Sequence, residues 1–116
     1  WNKVINLNLN VNYRIIRSFE PLLKISESAD VIFVSDSKNQ KLDPYWGAYN
    51  ISKLGLEALV KTWEKEINLT NIKAHIFNPQ DMDTHLRSSF MPGEKNKNLK
   101  NPDEVANLLI NLIRKN

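Results

Sequence analysis

The sequence predicts an α/β fold, a partial doubly wound domain with two parallel strands and three main helices. Three observations carry this. Two short strand-like runs, Val31–Val34 and Asn71–Phe77, lie among three longer segments whose apolar residues recur at helical spacing. Helix and strand alternate along the chain, which calls for parallel pairing through right-handed crossovers. At 116 residues the chain is one domain at most, residues 1–116, within the size that can bury its own core.

The first helix is expected from Asn2 to Ile25. Val4, Ile5, Asn8, Val11, Ile15, Ile16, Phe19, Leu22 and Leu23 share one broad face, on which Asn8 is the polar exception. Leu7, Leu9 and Tyr13 fall outside that face, and Pro21 is expected to kink the helix or divide it. After a polar turn, Val31-Ile32-Phe33-Val34 reads as a strand covered on both faces, ending in Ser35-Asp36-Ser37. Asp43-Pro44 looks like an N-cap with proline at the first helical position, opening a helix to about Ile67. Leu56, Leu59, Val60, Trp63 and Ile67 account for its packing, while Ile51 and Leu54 lie off that stripe. The second strand ends at Asn78-Pro79. Asn101-Pro102-Asp103-Glu104 opens a last helix, with Val105, Leu108, Leu109, Leu112 and Ile113 on its buried side.

Composition narrows the function classes. Apolar residues make up 41% and charged residues 25%, ordinary for a globular protein. No apolar run approaches the ~18 residues of a membrane span, and no signal-peptide pattern is seen. A net charge of +3 is too small to imply nucleic acid, and Glu94–Lys100 reads as a solvated loop. The absence of cysteine excludes disulfides and thiol catalysis and fits a cytoplasmic setting. His75 and His85 have no spacing suited to a metal site, so none is expected.

Tyr49-Asn50-Ile51-Ser52-Lys53 carries the clearest chemistry. Residues four apart stack on one helix face, so the phenol and the ammonium can converge. A phenol ordinarily holds its proton to about pH 10, and a nearby cation favours the phenolate. The pair therefore suits proton transfer at a carbonyl or alcohol oxygen.

With that pair in place, the chain resembles the short-chain dehydrogenase/reductase family from end to end. Trp1–Leu9 is similar to the helix that carries the family's active-site Asn, which maps to Asn8. Val31–Ser37 resembles the strand leading to the active-site Ser. Trp46-Gly47-Ala48-Tyr49-Asn50-Ile51-Ser52-Lys53 resembles the Tyr/Lys helix, and Asn78-Pro79-Gln80-Asp81-Met82-Asp83-Thr84 the segment that holds the nicotinamide. The Trp-Gly-Ala-Tyr wording and the first helix are similar to the bacterial YciK-type oxidoreductases. The resemblance implies a Rossmann-like NAD- or NADP-dependent oxidoreductase interconverting carbonyl and alcohol. Tyr49 would be the acid/base. Lys53 would lower its pKa and bind the nicotinamide ribose, Asn8 would position a relay water, and Pro79 and Thr84 would contact the nicotinamide.

Three departures qualify that expectation. Asp36 stands at the family's Ser position, where it can accept but not donate a hydrogen bond when ionised, and Ser37 is the possible substitute. Gln80 replaces the Gly that lets backbone approach the nicotinamide. No Gly-rich turn for the pyrophosphate is present, since the only glycines are Gly47, Gly55 and Gly93. The chain therefore reads as a truncated C-terminal half, inactive by itself and binding no cofactor alone. The alternatives are one half of a two-polypeptide reductase, completed by an N-terminal half, and a non-catalytic association module. Two open strand edges and helices apolar on more than one side predict a homodimer or higher association.

Overall fold

The computed structural model describes residues 1–36, 42–79 and 101–114. Its elements are α1 (Asn2–Ile5), a π-helical turn (Asn6–Asn10), α2 (Val11–Lys24), β1 (Ala29–Val34), α3 (Gly47–Glu66), β2 (Ile72–Phe77) and α4 (Pro102–Arg114). They fall into two compact units, Trp1–Asn78 and Pro79–Asn116. The α/β class, the parallel strands and the three main helices are as expected.

β1 and β2 pair in parallel, from Ala29 opposite Ile72 to Val34 opposite Phe77. Alternation along β1 puts Ala29, Val31, Phe33 and Ser35 on one face. Ala29, Phe33 and Ser35 are buried and Val31 is half-buried, whereas Asp30 and Val34 are exposed. Coverage of both faces was expected; among the described residues one face is buried and the other is covered in part, with Ile32 half-buried. The reason is the shared hydrophobic cluster, in which Ile16 of α2 and Leu56, Val60 and Trp63 of α3 join Ala29, Phe33 and Ile72. Each fully buried Ile, Leu, Val or Phe of this set contributes about 1.5–3 kcal/mol by leaving water. Phe33 and Trp63 meet edge to face, with ring centroids 6.1 Å apart.

The first helical stretch departs from expectation in two ways. Its irregularity falls at Asn6–Asn10, not at Pro21, which α2 carries through to Lys24. Pro21 lacks the N–H that would donate to the Arg17 carbonyl, yet it lies only three residues from the helix end and the helix continues past it. The side turned to the core is also one flank of the apolar arc: Leu9, Ile16 and Leu23, seven apart, pack inward. Ile15, Phe19 and Leu22, on the other flank, are exposed. Leu9 is therefore a core contact, contrary to its assignment outside the main face. It reaches α3 where Gly55 leaves room; a Cβ there would lie 3.0 Å from Leu9 Cδ2.

α3 begins later than the Asp43-Pro44 signal implied. Asp43 and Pro44 belong to a preceding turn, closed by Trp46 N–H on the Asp43 carbonyl at 3.4 Å. Tyr45 has φ 71°, a left-handed conformation that cannot continue a right-handed helix from Pro44. The expected packing stripe is present, with Leu56, Val60, Trp63 and Ile67 buried.

In the second unit, Asn101 caps α4 as expected, its Oδ1 accepting the Asp103 N–H at 2.8 Å. Val105 is buried and Leu109 and Leu112 are half-buried, while Leu108 and Ile113 are exposed. The buried stripe is thus narrower than the five residues expected. No described helix is long and apolar enough to cross a membrane.

Candidate active site

Parallel strands present ligand sites beyond their carboxyl ends. β1 leads to Ser35 and Asp36 at that edge, and β2 to Asn78. The Ser35 N–H extends the ladder by donating to the Phe77 carbonyl at 2.9 Å. The opening turns of α3 bring Tyr49, Ser52 and Lys53.

Tyr49 is half-buried and held from several directions. Trp46 meets its ring edge-on, with centroids 5.5 Å apart and planes at 81°. Lys53 Nζ, one turn along the same face, lies 5.9 Å from the ring centroid. The hydroxyl donates to Asp36 Oδ2 at 3.1 Å. The structure therefore brings Tyr49, Lys53 and Asp36 together. Burial pushes the Lys53 ammonium below its usual pKa of 10.5, and the negative charge of Asp36 offsets part of that.

A second set of bonds ties α3 to the first helical stretch. Asn8 donates through Nδ2 to Ser52 Oγ at 3.1 Å, and Ser52 Oγ donates to the Tyr49 carbonyl at 2.7 Å. Ser52 is fully buried. Asn8 lies within the π-helical turn, which disturbs the regular backbone ladder, and Asn12 Nδ2 covers the Asn8 carbonyl at 2.7 Å. The Asn8 amide is thus engaged with the Tyr49 helix. Ser52 and Asn12 had no assigned part in the sequence reading. A serine inside a helix, three residues after a Tyr, is a recognisable signal for a bond back to that carbonyl. Ser35, on the opposite strand face from Asp36, is buried, and its Oγ has no hydrogen-bond partner among the described residues.

Pro79 begins the second unit, and Ser37, Gln80 and Thr84 lie outside the described residues. Among the described residues no cluster of metal-ligating side chains occurs.

The donor set can be tested against a nicotinamide nucleotide. Lys53 Nζ makes no hydrogen bond or ion pair among the described residues, so its three N–H groups remain for a ligand. Lys53 and Tyr49 are the polar groups that this helix face offers to such a ligand.

The model of the short chain dehydrogenase family matches residues 1–95. The chain belongs to the short-chain dehydrogenase family. It is 27% identical over 113 residues to the uncharacterized oxidoreductase YciK of Escherichia coli (strain K12), covering 97% of this chain and 44% of that protein. It is 31% identical over 87 residues to an uncharacterized NAD-dependent oxidoreductase of Mycobacterium tuberculosis (strain CDC 1551 / Oshkosh), covering 74% and 32%. A crystal structure of a short chain dehydrogenase from Salmonella enterica serovar Typhi superposes with a TM-score of 0.85 at 28% identity, covering 94% of this chain and 45% of that one. The chain thus spans less than half the length of these relatives. For this short-chain dehydrogenase chain, the α/β model with two parallel strands fits a partial Rossmann-like domain.

Proposed function

We propose that this chain supplies the acid–base part of a nicotinamide-dependent oxidoreductase that interconverts a carbonyl and an alcohol. The observation that carries the reading is the convergence of Tyr49, Lys53 and Asp36 at the carboxyl edge of the sheet. A bound NAD(H) or NADP(H) would supply or accept the hydride. Tyr49 holds the proton that moves to or from the substrate oxygen. Lys53 places a positive charge beside the phenol and offers donors to the ribose. Asn8 and Ser52 fix the Tyr49 turn against the first helical stretch.

The chain carries residues for the ribose end of the dinucleotide, whereas the family's pyrophosphate site is a Gly-rich turn that these 116 residues do not contain. The proposed state of the chain by itself is therefore inactive and without bound dinucleotide, with a Gly-rich N-terminal half completing it. A two-polypeptide reductase is the second form of the same reading. We also propose self-association in the cytoplasm, because Tyr13, Phe19 and Leu22 of α2 and Ile51 and Leu54 of α3 remain exposed.

Two measurements test this. Calorimetric titration of the chain with NADH and NADPH should show no saturable binding; micromolar affinity would refute the dependence on a separate pyrophosphate site. The chain joined to the Gly-rich N-terminal part of a short-chain dehydrogenase should oxidise NADH or NADPH with carbonyl compounds. Binding of the dinucleotide without any turnover would defeat the acid–base assignment.

A further inference from the structure

We infer that Lys53 is a nucleophile that forms a Schiff base with small uncharged aldehydes, with Tyr49 as the proton donor that releases water. This activity needs no dinucleotide and goes beyond the oxidoreductase reading above, under which a bound ribose would occupy the same amine.

Lys53 differs from the other lysines of the chain. Among those described, Lys3, Lys24, Lys61, Lys65 and Lys73 are exposed, and only Lys53 is half-buried. Lys24 is paired with Glu20 at 3.1 Å, whereas Lys53 Nζ makes no hydrogen bond or ion pair among the described residues. An ammonium that loses water on burial and gains no such partner is destabilised relative to the neutral amine. Burial accordingly lowers the Lys53 pKa from 10.5, against a smaller opposing influence from the charge of Asp36. A larger neutral fraction near pH 7 is what makes a desolvated lysine a nucleophile.

Tyr49 supplies the second requirement. It stands one turn before Lys53 on α3, and Nζ lies 5.9 Å from its ring centroid. A carbonyl attacked by Nζ is thus held beside a phenol that can give and take a proton. The neighbourhood sets the class of aldehyde. Trp46 meets the Tyr49 ring edge-on, with centroids 5.5 Å apart, which gives an aromatic surround. The negative charge of Asp36, 3.1 Å from the hydroxyl, favours a cationic protonated imine and repels an anionic carbonyl compound.

The reaction is redox-neutral. The Nζ lone pair adds to the aldehyde carbon, the C=O π pair moves to oxygen, and one proton passes from nitrogen to that oxygen, giving a carbinolamine. The C–O bond then breaks and its electron pair leaves with the hydroxyl. Tyr49 donates its proton to this group, a far stronger base than a carboxylate, and water departs. The nitrogen lone pair closes the C=N bond as a protonated imine, and the phenolate regains a proton from solvent.

The test treats the 116-residue chain at neutral pH with limiting propanal and sodium cyanoborohydride, which reduces the imine to a stable secondary amine. Peptide mass spectrometry then follows each lysine separately. Lys53 should be modified at least tenfold faster than Lys3, Lys61, Lys65 and Lys73. Tyr49→Phe should slow Lys53 at least tenfold and leave the four exposed lysines unchanged, with the chain still folded by circular dichroism. Glyoxylate in place of propanal should lose the preference for Lys53. The inference is overturned if Lys53 reacts no faster than the exposed lysines, if Tyr49→Phe leaves its rate unchanged, or if glyoxylate is as selective as propanal. No nicotinamide dinucleotide is present, so this outcome is separate from that of the hydride-transfer assay.

Discussion

The Tyr49 hydroxyl donates a 3.1 Å hydrogen bond to Asp36 Oδ2, thirteen residues earlier in the chain. An acid–base phenol is thereby bonded to a group that cannot donate while ionised. Replacing the carboxylate by a hydroxyl changes the site from accepting to donating. In the chain completed by a dinucleotide-binding half, Asp36→Ser should raise carbonyl turnover. The gain is bounded at about 100- to 1,000-fold, the cost of removing one oxyanion donor elsewhere. Steady-state kcat with a ketone substrate checks this; unchanged turnover would leave Asp36 without the obstructive role given to it.

Ser52→Ala should destabilise the first unit by about 1–3 kcal/mol, the cost of leaving a buried polar group unsatisfied. The hydroxyl accepts from Asn8 and donates to the Tyr49 carbonyl, so its loss leaves the Asn8 amide without this acceptor and removes one bond to a carbonyl that the helix ladder already pairs. Asn8→Ala should cost less, about 1 kcal/mol, because Ser52 keeps its bond to Tyr49. Urea unfolding of the two variants measures the order; equal stability to the parent chain would remove the inter-helix tie.

These bonds also mark what was legible in the sequence. The alternation of apolar periods gave the α/β class, and the Tyr49/Lys53 spacing located the reactive turn. Both are local patterns. Which flank of the first helix faces the core was not legible. Its apolar arc is wider than the core uses, and Ile15 and Phe19 look as buried on a helical wheel as Ile16. The π-helical turn at Asn6–Asn10 has no comparably strong local signature, whereas Pro21 has one and leaves α2 continuous. The late start of α3 rests on the left-handed backbone of Tyr45, a residue type that does not advertise it. The pairing of Asn8 with Ser52 spans 44 residues and arises only from tertiary packing.

Lys53→Met should stabilise the chain at neutral pH and lose that advantage in alkali. Burial lowers the Lys53 pKa below 10.5, so the folded chain holds this proton less tightly than the unfolded chain. The charged ammonium is therefore a cost below its folded-state value. That cost fades as pH rises toward 10.5 and is absent above it. Thermal melts of both chains from pH 7 to about 11 should converge with rising pH. A constant difference in melting temperature would assign the effect to packing alone.

Self-association should be visible in solution. Tyr13, Phe19 and Leu22 on α2 and Ile51 and Leu54 on α3 are exposed apolar side chains, more than single scattered contacts. Light scattering coupled to size exclusion should give a dimer or larger species at tens of micromolar. Phe19→Glu with Leu22→Glu should reduce it to monomer with little loss of fold. A sharp 13.5 kDa species from the parent chain would contradict this expectation.

The most direct test of the central claim is the titration of Tyr49 itself. The claim is that Tyr49, Asp36 and Lys53 act as one electrostatically coupled acid–base unit. With ¹³Cζ-labelled tyrosine, the Tyr49 midpoint can be followed by NMR in the parent chain, Asp36→Asn and Lys53→Met. Removing the neighbouring negative charge should lower the midpoint, and removing the neighbouring positive charge should raise it. A Tyr49 midpoint that is the same in all three chains would contradict the account.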